Sequence, residues 1–205
     1  MNKIVILYDS RSGVTEKLAE AVAEGATKVK SVDVELLKIG TPFSLSKLEK
    51  ADAIIFGSPN YYDDVTHEMK NVLDTLKASK DRLHLSDKIG GVFASYGWLG
   101  GFATKVLEDY VEVFGMKLLK PSVLIHGRWG DDWELSADAL LSEKDLKKCS
   151  DLGKTVAEQL SVTKTTPPTT PQKKPEKEEI EGIKDQVKLM QQQLDQIKKK
   201  LEYLI

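Results

Sequence analysis

The chain has 205 residues, of which 40% are hydrophobic and 30% charged, with a formal net charge of −2. This length allows one sizeable domain with an appendage, and the balanced charge gives no indication of nucleic-acid binding. A single cysteine excludes an internal disulfide. No apolar run reaches the roughly 20 residues that span a bilayer, and no signal segment precedes the first predicted strand. We therefore expect a cytoplasmic protein that binds neither nucleic acid nor membrane.

The first predicted elements are a buried strand over 3–8, a hydroxyl-rich loop and a helix over 13–29. Such a loop directs backbone N–H groups and the positive end of a helix dipole toward one point, which favours an anion. Gly13 lets the backbone approach that anion closely. Because no Lys follows the glycine and no G-x-G-x-x-G is present, we predict a phosphate monoester held by neutral donors. The alternative is an ordinary helix start with Ser12 as its N-cap.

The following elements alternate between strands and helices. Strand 32–38 has the alternating pattern of an edge strand, a short helix follows near 44–50, and strand 52–57 reads as buried and parallel. That strand ends in the loop Ser58–Asp64, before a helix over 65–78. Strand 88–95 ends in a second loop of aromatics and glycines, Tyr96–Gly101. Three strands thus end in polar or aromatic loops at the edge of the sheet where ligands bind.

These three loops resemble those of the flavodoxins. The hexapeptide over 10–15 is similar to the flavodoxin phosphate loop, [ST]-x-[ST]-G-x-[ST], and GSPNYY and SYGWLGG are similar to the two flavin-ring loops. The second ring loop especially resembles the flavodoxin domains of flavodiiron proteins. The resemblance implies FMN as cofactor, with no catalytic residue and no metal. It implies these cofactor-binding residues: Ser10, Arg11, Ser12, Gly13, Val14, Thr15, Ser58, Pro59, Asn60, Tyr61, Tyr62, Asp63, Ser95, Tyr96, Gly97, Trp98, Leu99 and Gly100.

The same resemblance implies how the flavin lies. Its phosphate would be held by residues 10–15, and its ring would lie between residues 60–63 and 95–100. We expect Trp98 to stack on the ring, with Tyr61 or Tyr62 opposite. Arg11 points to solvent or adds charge near the phosphate. Asp63 and the following Asp either oppose negative charge on the reduced flavin or form a solvated acidic loop.

The remainder of the domain continues the alternation. A helix over 101–115 should end at a left-handed Gly115, followed by strand 117–125. The tryptophan-containing segment 127–141 forms either a lid or partner surface, or a loop packed on the sheet. An S-x-x-[DE] cap at Ser142 opens the last helix, which extends to about Leu160. Five strands alternating with helices predict an α/β fold. The resemblance implies a doubly wound, five-stranded parallel sheet of order 2-1-3-4-5.

The composition changes sharply after this domain, which we assign to residues 1–162. Residues 163–177 form a Pro/Thr/Lys-rich linker without apolar periodicity. Residues 178–205 carry an unbroken heptad seam and predict a coiled coil. Its a and d positions are Ile180, Ile183, Val187, Met190, Leu194, Ile197, Leu201 and Leu204. The alternative is an amphipathic helix that folds back on the domain. Because the a and d residues favour more than two strands, we expect self-association as a tetramer or trimer.

Three functions remain open at this stage. The first is an electron-transfer flavoprotein that cycles through one- and two-electron reduced flavin and docks to redox partner proteins. The second is an FMN-dependent NAD(P)H:quinone reductase, which GSPNYY and EMKNVLD also resemble. The third is an oligomeric flavodoxin-like scaffold that binds no flavin. A phospho-receiver domain is disfavoured because Gly57 and Ser58 stand where its acceptor Asp would be.

Overall fold

The computed structural model describes residues 1–97, 100–127 and 136–165, and strands and helices alternate through them. The strands are β1 Asn2–Tyr8, β2 Val32–Lys38, β3 Ala53–Pro59, β4 Ile89–Tyr96, β5 Lys117–Leu118 and β6 Val123–His126. The helices are α1 Val14–Thr27, α2 Ser46–Glu49, α3 His67–Ala78, α4 Lys80–Leu83, α5 Phe102–Val113, α6 Ala137–Leu140 and α7 Glu143–Thr165. The short helices α4 and α6 were not predicted from the sequence. No described helix combines the length and apolar character needed to cross a membrane.

All strand pairs in the described sheet are parallel, in the order β2-β1-β3-β4-β5, with β6 also paired to β4. This confirms the predicted order 2-1-3-4-5 and the edge position of β2. The prediction of one continuous strand over 117–125 is wrong, because two short strands occupy that place. Pro121 lies between them, and a proline has no N–H to donate to a sheet ladder.

Two apolar cores lie on opposite faces of the sheet, because successive strand side chains point to opposite sides. In β1, Ile4 and Ile6 join the core that includes α1 and α7 residues. Val5 and Leu7 join the core that includes α3 and α5 residues. The central strands β1 and β3 are therefore buried on both faces, as in other parallel sheets covered by helices.

Helices α1 and α7 cross at two glycines. A Cβ built on Gly25 would lie 1.8 Å from the carbonyl oxygen of Ser150, and one on Gly153 would lie 1.9 Å from that of Val22. Only a hydrogen atom fits at either position, so these glycines set the distance between the two helices. The crossing fixes α7 against the first βα unit and hence fixes the helix that begins at the predicted phosphate loop.

The helix ends agree with the predicted capping chemistry at two places. Gly115 is left-handed at φ 74° just after α5. The Ser142 hydroxyl oxygen accepts a hydrogen bond from the N–H of Asp145 at 3.2 Å at the start of α7. The predicted linker 163–177 begins within the last residues of α7, and from residue 166 onward it lies outside the described residues, together with the coiled coil over 178–205. Both stay predictions.

Candidate functional site

The loops that follow β1, β3, β4 and β6 meet at the carboxyl edge of the sheet. Backbone hydrogen bonds join neighbouring loops: the N–H of Asp9 donates to Gly57 O (3.0 Å), and the N–H of Asn60 donates to Ser95 O (2.6 Å). The N–H of Gly127 donates to the carbonyl of Tyr96. The predicted phosphate loop and the two predicted ring loops are thus brought together, as the rule for open parallel sheets requires.

The predicted phosphate loop ends in a helix start that its N-cap residue does not cap by a side chain. Gly13 occupies the N-cap position of α1 at φ 87° and has no side chain to cap it, and the hydroxyl of Ser10 accepts one first-turn N–H instead. Ser12 therefore does not cap α1, contrary to the alternative interpretation of this sequence. Left-handed backbone at Gly13 turns the loop so that first-turn N–H groups face the edge, which is the geometry of an anion site.

The hydroxyl groups of this loop have different surroundings. Ser10 Oγ accepts a hydrogen bond from the N–H of Glu16 at 3.1 Å, which leaves its own proton for a ligand. The hydroxyl of Thr15 is buried and lies 2.9 Å from Ser95 Oγ. Thr15 therefore ties the phosphate loop to the end of β4. Val14 packs beside it, 3.3 Å from the position of a Cβ built on Gly127.

A carboxylate beside the loop is neutralised by a lysine. Glu16 accepts hydrogen bonds from the Tyr8 hydroxyl (3.1 Å) and from Lys38 Nζ (2.8 Å). The hydrogen bond from Lys38 lowers the pKa of Glu16, while burial, helped by Glu16, raises the pKa of Tyr8 to about 12. Sequence reasoning missed this cluster, because Lys38 ends the neighbouring strand and nothing in the sequence places it here.

Arg11 connects the phosphate loop to α3. One guanidinium nitrogen lies 3.0 and 2.8 Å from the two carboxylate oxygens of Glu68, and the group lies 4.8 Å from the centre of the Tyr61 ring. The hydrogen bond with Glu68 raises the pKa of Arg11 and lowers that of Glu68. Arg11 thus neither points freely to solvent nor offers an unmatched charge to an anion in this structure.

The loop after β3 contains a tight turn. Tyr61 and Asp64 exchange backbone hydrogen bonds of 2.7 and 3.2 Å, and both central residues are left-handed, with φ 49° at Tyr62 and 62° at Asp63. These are the angles of a type I′ turn, which Asn and Gly normally occupy. The Tyr62 side chain is 92% exposed. Ser58, buried beneath the turn, accepts the N–H of Thr66 and donates to the carbonyl of Pro59.

Within the loop after β4, Gly100 lies against the ring of Tyr96. A Cβ on Gly100 would lie 2.8 Å from that ring, and His126 contacts the ring edge-on, with centroids 5.3 Å apart. Gly97 follows directly, whereas Trp98 and Leu99 lie outside the described residues, so the stacking role of Trp98 stays a prediction. His126 was treated as an ordinary strand-end residue from sequence, and the structure places it at the candidate site.

Asn60 has a role that the sequence did not show. Its Oδ1 accepts the N–H of Ala103 at 3.0 Å, in the first turn of α5. The N-cap residue of α5 is Gly101, left-handed at φ 104° and without a capping side chain. The only sign of this role in the sequence is that no Ser, Thr, Asp or Asn directly precedes α5 to cap it, so a capping group must come from elsewhere. Asn60 therefore joins the two predicted ring loops.

The segment predicted over 127–141 lies partly outside the described residues, including both of its tryptophans. Its last part forms α6, where Ala137 packs against the core of α1 and α7. The Cβ of Ala137 lies 3.8 Å from a Cβ built on Gly13, and Asp138 pairs with Lys17 at 3.5 Å. This end of the segment therefore borders the phosphate loop, and its role stays a prediction.

The doubly wound sheet, with a glycine-led helix start and two adjoining loops at its carboxyl edge, defines a flavodoxin-like protein. Residues 2–130 match the family model described as NADPH-dependent FMN reductase, and the chain belongs to that family. The prediction of a flavodoxin-like, FMN-binding family is thereby confirmed, and FMN is its cofactor.

Several relatives carry related names. An NAD(P)H dehydrogenase (quinone) of Methanosarcina barkeri is 30% identical over 58% of this chain and 71% of its own. The rubredoxin-oxygen oxidoreductase of Megalodesulfovibrio gigas is 32% identical over 57% of this chain, but the match spans 28% of that protein. The solved structure of a flavodoxin from the domain Archaea is 31% identical, covers 78% of this chain and 99% of its own, and superposes with a TM-score of 0.65.

The described residues fit FMN. Gly13 supplies the left-handed turn at the helix start, and the hydroxyls of Ser10 and Ser12 belong to the same loop. A Cβ on Gly101 would meet nothing within 4 Å, so there is open space beside the second ring loop. Neutral donors at a helix start suit a phosphate monoester, and neighbouring aromatic loops suit a planar ring.

Proposed function

We propose that this protein is an electron-transfer flavoprotein. The observation that carries the proposal is the match to an archaeal flavodoxin over 99% of that chain, at 31% identity. The match covers the whole of a small flavodoxin, whereas the oxidoreductase of M. gigas is matched over about a quarter of its length. FMN supplies one- and two-electron chemistry, and the protein supplies its position and electrostatic surroundings.

In this proposal the first loop binds the phosphate. The hydroxyls of Ser10 and Ser12 and the N–H groups around Gly13 donate to it, while Thr15 holds the loop against Ser95. Arg11 stays paired with Glu68 and restrains the Tyr61 turn. The flavin ring lies between residues 60–63 and 95–100.

The partner in this proposal is a redox protein. Asp63 is exposed and Asp64 partly so, beside the exposed ring of Tyr62. Residues 163–205 carry nine Lys and seven acidic residues, so residues 1–162 carry a net charge of −4. An acidic face favours transient docking to a basic partner and speeds encounter at low salt. The cytoplasmic location predicted from sequence stays a prediction.

Two measurements test the proposal. Purified full-length protein mixed with FMN should show flavin absorbance that remains with the protein, with about one flavin per chain. Trp98→Ala should weaken FMN binding and change the potential with little effect on the free energy of unfolding. Folded protein that takes up no FMN would contradict the proposal and support the flavin-free scaffold instead.

The second candidate is an NAD(P)H:quinone reductase. The relative from M. barkeri, whose name is NAD(P)H dehydrogenase (quinone), and the family description favour it. Steady-state assays with NADH or NADPH and a quinone separate the two functions. Turnover of about ten per second or more, typical of enzymes, would show that the carrier proposal is wrong.

We further propose that residues 178–205 associate the chain with its copies as a tetramer or trimer. The support is the heptad seam in the sequence alone, since these residues lie outside the described ones. Association would raise the local concentration of flavin domains at a partner that offers several docking sites.

A further inference from the structure

Arg11 lies against both the ring of Tyr61 and the carboxylate of Glu68. Its guanidinium carbon is 4.8 Å from the centre of the ring, and one of its nitrogens donates to the two Glu68 oxygens at 3.0 and 2.8 Å. The phosphate loop, the turn after β3 and the first turn of α3 therefore meet through three side chains. We call Arg11, Tyr61 and Glu68 the Arg11 strap.

The α3 end of the strap is fixed by buried hydroxyl groups. Thr66, the N-cap of α3, is fully buried, and its hydroxyl accepts the N–H of Met69 at 3.3 Å. The N–H of Thr66 donates to Ser58 Oγ at 3.2 Å. Glu68 follows in the first helical turn, where the helix dipole favours a carboxylate. A cation that pairs with Glu68 is thereby tied to the end of β3.

The turn that the strap crosses is conformationally strained. Tyr62 and Asp63 are left-handed, at φ 49° and 62°, a backbone that residues with a side chain adopt at a cost. Strained backbone persists only where the surrounding structure holds it. The Tyr61 ring contacts the Tyr62 ring, with centroids 5.0 Å apart, and Arg11 contacts the same Tyr61 ring from the phosphate loop. Arg11 therefore supports the turn from outside its own loop.

We propose that Arg11 is a positioning residue of the flavin site: the strap holds the Tyr61 turn in place for the flavin ring and so slows the release of bound flavin. The inference rests on the proposed function, since it requires flavin between residues 60–63 and 95–100. Arg11 acts on the ring loop rather than on the phosphate, because Glu68 already balances its charge. A guanidinium suits this place, since it lies over an aromatic ring while its N–H groups hold a carboxylate.

A direct contact between Arg11 and the phosphate makes the opposite predictions. In that case Glu68 competes with the phosphate for Arg11, and Glu68→Gln would strengthen FMN binding. In the strap, Glu68→Gln removes the partner that holds Arg11 over Tyr61, so flavin binding weakens. Riboflavin has the flavin ring but no phosphate, and it separates the two roles independently. The strap affects both flavins by the same factor, whereas a phosphate contact affects FMN alone.

Release rates and dissociation constants of FMN and riboflavin, measured by fluorescence on the full-length protein, are the deciding data. We expect Arg11→Gln to release both flavins about fivefold faster, because one exposed ion pair and one cation–π contact are lost. Glu68→Gln should release both about twofold faster or more. The double variant should be no faster than Arg11→Gln, because the contact is already gone. Arg11→Lys should recover less than half of the loss, since an ammonium is not a planar fork.

Arg82→Gln is the matched control, because it removes the same charge from α4. That helix precedes the amino end of β4 and so lies at the opposite edge of the parallel sheet. Its release rates should equal those of the wild type. Unchanged release in Arg11→Gln would overturn the proposal. Weakened binding of FMN alone, or tighter FMN binding in Glu68→Gln, would overturn it too and make Arg11 a phosphate ligand.

A second readout needs no flavin. Chymotrypsin cleaves after aromatic residues, and Tyr62 is 92% exposed, so cleavage at the turn reports how often it opens. We expect faster cleavage there in FMN-free Arg11→Gln and Glu68→Gln, with an unchanged free energy of unfolding, because the pair is exposed. Unchanged cleavage, or a matching fall in global stability, would overturn the strap. Wild-type protein that binds neither flavin would refute the proposed function, while the cleavage rates would still test the strap.

Discussion

The crossing of α1 and α7 and the carboxyl edge of the sheet use glycine for different reasons. At the crossing, Gly25 and Gly153 have no room for a Cβ, which would lie within 2 Å of a backbone oxygen at either position. At the edge, Gly13 and Gly101 have room, but their backbones are left-handed. The crossing is packed for stability. The edge also keeps a left-handed tyrosine, Tyr62, and one buried carboxylate oxygen, Asp9 Oδ2, that has no hydrogen-bond partner among the described residues. Such features are common at functional sites.

The largest effect is expected at the crossing. Gly25→Ala places a methyl group against the backbone of Ser150, so the helices must separate. We expect the free energy of unfolding to fall by about 3 kcal/mol or more. Urea unfolding measures this. The control is Gly40→Ala, left-handed but with nothing within 4 Å of its Cβ, where we expect about 1–2 kcal/mol. Equal losses in both variants would show that the crossing is not close-packed.

At the edge, Ser12→Asp should separate binding from stability. A carboxylate in the phosphate loop repels the phosphate, and we expect FMN affinity to fall about a hundredfold or more. The same charge favours the start of α1, so the free energy of unfolding should not fall. Ser46→Asp, at the start of α2, is the matched control and should leave FMN binding unchanged. Fluorescence titration of FMN gives the affinities, and urea unfolding gives the free energies of unfolding. Unchanged affinity in Ser12→Asp would place the phosphate elsewhere.

The hydrogen bond between the side chains of Thr15 and Ser95 tests whether contacts between loops at the edge also stabilise the fold. Thr15→Val leaves the buried hydroxyl of Ser95 without its partner, and we expect a loss of about 1–3 kcal/mol. Ser95→Ala in the Thr15→Val background should cost little more, because the partner is already gone. Urea unfolding of the wild type, both single variants and the double variant forms the cycle. Strictly additive losses would argue against the contact.

A small gain in stability is expected at Tyr62. Tyr62→Asn relieves left-handed strain in the type I′ turn. The ring that is lost contacts the Tyr61 ring edge-on, with centroids 5.0 Å apart, but at 92% exposure it buries little surface. We expect the free energy of unfolding to rise by about 0.5–1 kcal/mol. Thermal unfolding of FMN-free protein is sufficient to detect it. A loss of stability would mean that the ring supports the turn, despite its exposure.

The smallest effect on the fold is expected from truncation after Thr165, since the crossing and the edge both lie before this residue. Affinity for FMN and free energy of unfolding should match those of the full chain. Sedimentation equilibrium should show a monomer after truncation and a tetramer or trimer for the full chain. A full-length monomer would refute the coiled coil, and an oligomeric truncated form would place the interface within residues 1–165.

Sequence by itself determined the alternation of strands and helices and predicted which loops form the site. The apolar run ending at Tyr8 and the hydroxyl-rich loop up to Thr15 predicted a strand, a loop and a helix start. Gly115 and Ser142 marked helix ends that the structure shows. Periodicity and capping depend on neighbours a few residues apart, which is why these features can be read locally. The break at Pro121 was also local, and the continuous strand predicted across it was an error of interpretation.

Tertiary structure alone decided which groups compensate one another. Thr15 and Ser95 are 80 residues apart in sequence, and Arg11 and Glu68 are 57 apart. Asn60 reaches α5, and Gly25 meets α7, only because the sheet and its helices bring them together. Whether Asp9 is paired likewise depends on every element packed around it. Among the described residues Asp9 Oδ2 is buried without a hydrogen-bond partner. This is a property of the folded chain, since no local pattern specifies which donors reach a buried group.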